Sequence, residues 1–353
     1  MDLLILNYSM SPDNLVFSHQ RNVVNKLSTQ FERTTVITAD SNLGPSLSHV
    51  TVLSSQWRQN QNLRNALRFL RIVFPIIWRG RRNLVVFTHM AEVFAFLIAP
   101  ICWFLKIPNH LWYAHASKSL YLKFSFPFLS SVITSTVGSC PIRSSKVKVI
   151  GQAIRLDEYE VVDSPVNFPP RRWYHVSRLD PSKNIEAVIE AILIMRQKGF
   201  DMCLDIYGAP SSHKFEQYSQ QLRKISDKEG YQGWLRFRGP ILHSKLLENA
   251  QKYDGFIHAF QGSLDKSLLE AIAAKRFVVS CNNEYRDIFG MQSKGGVNPS
   301  LELTEDIEES IEFGQVFIRS EIERKFKILR RNHSQEQWLD KLKVILYGGN
   351  LSN

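Results

Sequence analysis

The stretch RWYHVSRLDPSKNIEAVIEAILIMRQKG, Arg172 to Gly199, reads as a strand, a short polar loop and a helix stopped by glycine, and DMCLDIYG after it reads as a second strand. Downstream come a polar helix to about Lys228, the strand-like WLRFRG, a helix around LLENAQKY, the strand-like GFIHAF, a helix opening after Ser267, and FVVS. Strands separated by helical segments at this spacing describe a doubly wound parallel sheet. Upstream, DSPVNFPPRR carries three prolines in a short polar run and reads as an inter-domain linker. Before it the same alternation occurs: LLILNYS, TTVITA, VTVLSS, LVVFTHM, HLWYAH and SVITST are β-rich, with helical segments such as VFSHQRNVVNKLSTQF and LRNALRFLRIVF between them. Continuous apolar runs imply strands buried on both faces and hence helix-covered parallel sheets. The fold class expected is α/β, with two Rossmann-like doubly wound domains facing a central cleft. The domains are residues 1–165 and 166–333, and 334–353 form a C-terminal helix packing back toward the first domain.

A chain of 353 residues is long enough for two domains with a core each. Its formal net charge of +11 suits nucleotides, other polyanions or an anionic membrane surface. No nucleic-acid recognition motif accompanies that charge. Cys102, Cys140, Cys203 and Cys281 are scattered without CxxC spacing, so they read as reduced cytosolic thiols and not as a disulfide framework or zinc site. MDLLILNYS lacks the basic start of a signal peptide. VFAFLIAPICWFL, Val93 to Leu105, contains Pro100 and is shorter than the roughly 18 residues of a spanning helix, which favours a buried helix and a cytoplasmic protein.

Ligands of open parallel sheets bind beyond the carboxyl ends of the strands. There this sequence places Asn7 and Ser9, Thr88 and His89, His115, Ser177 and Arg178, Gly208, Gly239, and Gln261 to Ser263. Arg178 and Lys183 flank one strand-to-helix turn, where a planar fork and a point charge could clamp a diphosphate or simply be solvated. Gly262, Ser263, Leu264, Asp265, Lys266 and Ser267 lead into a helix whose free N–H groups and dipole suit an anion. Glu270 lies within about two turns of that anion. A carboxylate accepts two hydroxyl hydrogen bonds at once, so Glu270 is suited to the ribose diol of a nucleotide diphosphate; the plainer reading is a solvated helix carboxylate.

SRLDPSKNIEAVIEA, DIYG, RFRG and GSLDKSLLEAIAA, in that order, resemble the C-terminal domain of GT-B glycosyltransferases of the family 4 type, retaining enzymes with nucleotide-sugar donors. The likeness spans about 173–280, and FTHM and WYAHASKSL are similar to strand-end histidine motifs of the same family. The resemblance implies that Arg178 and Lys183 neutralise the donor diphosphate and that His115 contacts the donor sugar. It implies that Glu270, matching the second glutamate of an E-x7-E motif, binds the ribose, and that the loop from Arg236 to Gly239 borders the base. The first glutamate of that motif falls on Gly262, with Asp265 and Gln261 as nearby polar substitutes. The loop NYSMSPDNLVFSHQ lacks the usual glycines, leaving Ser18, His19 and His89 as acceptor-side candidates. The donor is UDP- or GDP-linked, and neither cofactor nor metal is expected, because two cations and a helix terminus can replace a metal at the leaving phosphate.

LRNALRFLRIVFPIIWRGRR, Leu63 to Arg82, mixes arginines with large apolar residues. It reads equally as an amphipathic surface helix or as a core-facing helix with a solvated basic edge. The surface reading would place the enzyme peripherally on the inner face of the cytoplasmic membrane, acting on a glycan or lipid-linked acceptor in bacterial surface-polysaccharide synthesis. Two other functions fit the same features: a non-catalytic sugar-nucleotide or glycan-binding protein, and a GT-B-shaped sugar-nucleotide epimerase.

Overall fold

A computed structural model describes residues 1–13, 18–58, 60–159, 165–290 and 298–349. The chain divides into two units, Met1–Gly151 with Glu336–Asn353, and Gln152–Gln335.

In the first unit the order is β1 (Asp2–Asn7), α1 (Ser18–Ser28), β2 (Thr34–Thr38), β3 (Val50–Ser54), α2 (Asn62–Gly80), β4 (Leu84–His89), α3 (Glu92–Phe104), β5 (Asn109–Trp112), α4 (Leu120–Ser125), β6 (Ser131–Thr134) and β7 (Val147–Val149). All pairings are parallel, in the order β3-β2-β1-β4-β5-β6-β7. The central strands β1 and β4 are buried nearly throughout, as their continuous apolar runs predict. β7, the three residues VKV at the sheet edge, is a strand absent from the sequence reading, since so short a segment with lysine at its centre has no apolar run to mark it.

α2 buries Asn65, Phe69, Val73 and Ile77, one residue per turn, against the sheet, while Leu63, Leu67, Phe74 and Trp78 stay exposed among its arginines. It is therefore core-facing and has an outer face that is both basic and apolar. α3, expected to be buried, is covered only in part: Phe94, Ala95, Ile98, Ala99 and Cys102 are packed, but Phe96, Trp103 and Phe104 are exposed. Among the described residues no helix is long and apolar enough to cross a membrane.

The second unit runs β8 (Arg172–Val176), α5 (Ile185–Gln197), β9 (Cys203–Tyr207), α6 (Glu216–Ser226), β10 (Leu235–Gly239), α7 (His243–Ala250), β11 (Gly255–His258), α8 (Lys266–Ala273), β12 (Phe277–Ser280), α9 (Asn283–Phe289), α10 (Pro299–Glu312) and α11 (Gly314–His333). Its parallel order is β10-β9-β8-β11-β12. Trp173 of β8 and Ile185, Val188, Ile189 and Ile192 of α5 form the centre of one core layer. Part of the proline-rich run, Asp163 and Ser164, lies outside the described residues. The remainder is pinned: the buried carboxylate of Asp254 accepts Asn167 N and Nδ2 at 3.0 and 2.8 Å, Arg171 N at 3.0 Å and Arg172 N at 2.9 Å.

The last helix, α12 (Gln335–Leu346), belongs to the first unit from Glu336 onward. Its Trp338 is fully buried against His89 and Trp112, with ring centroids 6.2 and 5.2 Å away. Beyond it Tyr347 stacks on Phe31 at 5.2 Å and donates to Gln30 O at 2.6 Å.

Candidate functional site

Where strand order reverses in an open parallel sheet, the loops on either side of the reversal part and leave a crevice. In the second unit the reversal falls between β8 and β11, so residues 177–184 and 259–265, distant in sequence, leave the sheet as neighbours. Close approach also shapes this end: a Cβ at Gly208, just past β9, would lie 1.9 Å from Ser177 O, so only glycine fits.

Lys183 closes a single 3-10 turn, Pro181–Lys183, and is buried. Its ammonium sits 2.5 Å from Asp265 Oδ2 and 3.8 Å from the ring centroid of Phe260. The Nε2 of His258, at the end of β11, lies 3.4 Å from the same carboxylate oxygen, and its Nδ1 lies 3.1 Å from Ser280 Oγ. Burial pushes the Asp265 carboxyl up, but hydrogen bonding to His258 and the charge of Lys183 outweigh it and hold the group well below the usual carboxylate range. Burial lowers the pKa of His258 despite Asp265, so at neutral pH its Nε2–H donates to that carboxylate. The anticipated point charge of Lys183 is thus already paired in this structure.

Arg178, on the same loop, is solvent-facing with 63% of its side chain exposed, and its Nη1 is 3.5 Å from Asp180 Oδ2. Asp180 is buried and accepts Ser211 Oγ at 2.8 and 3.0 Å and Ser211 N at 3.2 Å. Asp180 and His258 organise this end of the sheet, and the sequence reading singled out neither. Asp180 stands between Arg178 and Lys183 in SRLDPSK, a position that could have drawn attention to it.

The loop from Gly262 to Ser267 is held from several sides: Leu264 N donates to Glu284 Oε2 at 2.7 Å, Gln152 Nε2 to Leu264 O at 3.1 Å, and Asn282 Nδ2 to Phe260 O and Gly262 O at 2.8 and 2.9 Å. At Gly262 the absent glutamate has a steric counterpart. A Cβ there would lie 2.0 Å from Phe260 Cζ, so the ring beneath the Lys183 ammonium occupies the space a side chain would need. Both polar substitutes are engaged: Asp265 with Lys183 and His258, and Gln261 through Nε2 to Cys281 O at 2.7 Å. Ser263 is half-buried, Leu264 buried, and Lys266 exposed with its Nζ 3.4 Å from Glu270 Oε1.

Glu270 is buried on α8 and lines a tight crevice with Tyr159, Tyr174, Val176, Leu246 and Ser267, one too narrow to hold a water molecule. The buried Ser267 Oγ in that wall has no hydrogen-bond partner among the described residues. Arg236 and Gly239 lie in β10; Arg236 Nε is spent on Asp205 Oδ1 at 2.6 Å, and Gly239 O accepts Gly208 N at 2.9 Å. Arg236 lines a different concavity from Glu270.

The remaining candidates belong to the first unit. His115 is exposed, three residues past β5, with its ring edge-on to Tyr113 at 5.5 Å. His89 is only 3% exposed, packed among Phe87, Trp112, Trp338 and His19, and its Nδ1 has no partner among the described residues. Burial first, then His19, drives its pKa well below 6.5. His19 is half-buried on α1, 5.6 Å from His89; Ser18 begins that helix, and its side chain is outside the described residues. Among the described residues no group of three metal-ligating side chains comes together.

No protein-family model and no curated protein matches the chain by sequence. Solved structures do match in three dimensions. HepE from Anabaena, solved in complex with UDP, superposes with a TM-score of 0.71 at 15% identity, covering 99% of this chain and 100% of HepE. A glycosyltransferase from Rickettsia africae gives 0.73 at 13% identity, with 98% of each chain covered. The trehalose-6-phosphate synthase OtsA gives 0.69 at 11%, covering 98% of this chain and 99% of OtsA. Two parallel-sheet α/β units, with seven and five strands among the described residues, matched end to end by these structures, make the fold GT-B, a glycosyltransferase-type fold.

Proposed function

We propose that the protein is a retaining glycosyltransferase of the family 4 type, moving a hexosyl group from a UDP- or GDP-linked donor to a glycan or lipid-linked acceptor. The observation that carries this reading is the meeting of Lys183 and Asp265 at the strand-order reversal, with Glu270 on the helix that comes next. A buried cation at the carboxyl ends of a parallel sheet suits a departing diphosphate, and a buried carboxylate on the helix that follows suits a ribose. HepE has been solved with UDP, with UDP and glucose, and with UDP-glucose, which supports the same ligand class for this fold.

In the proposed reaction the donor phosphate draws the Lys183 ammonium from Asp265. Lys183 and Arg178 then stabilise the growing negative charge as the sugar–phosphate bond breaks. The leaving phosphate takes the proton of the attacking hydroxyl on the same face, so no protein nucleophile is required. Asp265, released from Lys183, is free to accept a sugar hydroxyl in place of the glutamate absent at 262. His115 is assigned to the donor sugar, and His19, His89 and Ser18 to the acceptor side. The charge stabilisation falls to protein groups, without a metal or cofactor.

The acceptor reading rests on the outer face of α2 and the two residues after it, where Leu67, Phe74 and Trp78 stand among Arg64, Arg71, Arg79, Arg81 and Arg82. Such a face suits peripheral contact with anionic lipid and surface-polysaccharide synthesis at the inner side of a bacterial membrane. Gly262 favours a second reading, a non-catalytic sugar-nucleotide binder.

Incubation with radiolabelled UDP- and GDP-sugars, with and without membrane lipid extract, tests the proposal. Label appearing in a glycan or lipid product supports transfer. Binding without turnover favours the binder, and isomerised free sugar favours an epimerase.

A further inference from the structure

Parallel sheets are normally covered and apolar on both faces, and the β9–β10 edge departs from that rule on one side. Leu204, Ile206 and Leu235 enter the core, but the alternate positions carry Asp205, Tyr207, Arg236 and Arg238. Asp205 stands opposite Arg236 in the register. Its buried carboxylate accepts Arg236 Nε at 2.6 Å, Arg238 Nε at 3.1 Å and Tyr253 Oη at 2.5 Å. Tyr253 Oη is in turn 2.8 Å from Tyr207 Oη. One carboxylate therefore fixes two guanidiniums side by side, each with further N–H donors to spare and about two-fifths exposed, at 41% and 44%.

Around them Arg172, Lys245 and Lys252 complete the wall of a concavity of about 730 Å³, whose rim is Pro240, Ile241 and Leu242. Five cations thus face one carboxylate whose oxygens are already shared three ways. Among the described residues Arg172, Lys245 and Lys252 make no ion pair; Lys252 Nζ donates only to the neutral Asn249 Oδ1, at 2.8 Å. Like charges held in a concave wall focus a positive potential, and an anion entering it relieves their repulsion. The volume is that of a small-ligand site, and paired guanidinium forks match phosphate oxygens.

We propose that this concavity binds a phosphate-bearing ligand at a site separate from the Lys183–Asp265–Glu270 group, none of which lines it. The chemistry is a phosphate or diphosphate ester with an apolar neighbour for the Ile241–Leu242 rim, either a soluble ester or an anionic lipid headgroup.

The test uses the full chain carrying Arg178→Ala and Lys183→Ala, which removes both cations of the proposed donor clamp. Calorimetric titration with inorganic diphosphate, and co-sedimentation with phosphatidylglycerol-containing vesicles, are compared with and without the added changes Lys245→Glu and Lys252→Glu. A control pair on α6 and just past it, Lys224→Glu and Lys228→Glu, makes the same change in net charge at exposed positions. We expect the first pair to weaken binding about tenfold or more while the control pair changes it little and melting temperatures stay level. Loss of diphosphate affinity alone assigns the site to a soluble ester, and loss of vesicle binding, with or without it, to a lipid headgroup. Unchanged binding in both assays, or an equal loss in the control, overturns the proposal.

Discussion

At the carboxyl end of β4 the imidazole of His89 is walled in by Phe87, Trp112 and Trp338, whereas at the carboxyl end of β11 the imidazole of His258 reaches the Asp265 carboxylate. Both strands sit where the order of their parallel sheet reverses, β4 beside β1 and β11 beside β8. The first unit closes this end with aromatic rings; the second fills it with a lysine, a carboxylate and a neutral histidine in contact. The same topology thus yields an aromatic end or a charged one according to the residues beyond the strand. A histidine at a strand end is informative only once its cover is known. His89 and His115 look alike in FTHM and WYAH, yet one is buried and the other exposed.

The strongest way to break this contrast is Lys183→Ala. Transfer should fall about 10³-fold, with a smaller loss of nucleotide affinity, because the charge Lys183 answers grows as the phosphate leaves. Steady-state kinetics set beside equilibrium binding decides it: equal losses would reduce Lys183 to ground-state binding. Next, His115→Ala should lower transfer about 10²-fold and leave nucleoside-diphosphate affinity nearly unchanged. Full activity in that variant would remove His115 from the reaction and leave the first unit without a proposed catalytic group. Smaller again, Glu270→Gln should weaken nucleotide binding about tenfold, the effect of replacing a charged acceptor by a neutral one. A calorimetric affinity equal to wild type would end the ribose assignment.

The smallest effect per residue is on stability and spans both units. His110 and His175 are driven by burial to about 4 and about 3, and His89 and His258 are lowered as well. A histidine kept neutral when folded stabilises fully above its unfolded pKa of about 6.5, and that contribution is lost as pH falls toward the folded value. Each should cost roughly 1 kcal/mol of stability per pH unit below about 6.5. Denaturant midpoints measured from pH 7 to 5 should decline for both units, and a flat profile would contradict the neutral state of these rings.

Much of the fold could be read from the chain because strands such as LLILN and LVVFTH are unbroken apolar runs and α5 has clear helical periodicity. β7 could not, since an edge strand of three residues needs no apolar signature. At the site, SRLDPSK and GSLDKS could be singled out as loops with charge, and the reversal between β8 and β11 explains why they meet. Pairing is the part that the letters do not carry. Nothing in the sequence says that Lys183 chooses Asp265, that Arg236 is claimed by Asp205, or that Phe260 fills the space above Gly262. Those outcomes depend on side-chain directions set by register and on distances of an ångström or less.

The cover that Trp338 gives to His89 and Trp112 comes from a helix placed after the whole of the second unit in the chain. A ribosome delivers the strands of the first sheet early, but the segment that caps their ends emerges only after residues 152–335 have been made. Until then the rings around β4 and β5 have no lid, and the first unit is exposed to chaperones and to premature association for the time it takes to translate the second. Its final packing therefore waits on translation of the second unit, a built-in delay between the first sheet and its cover.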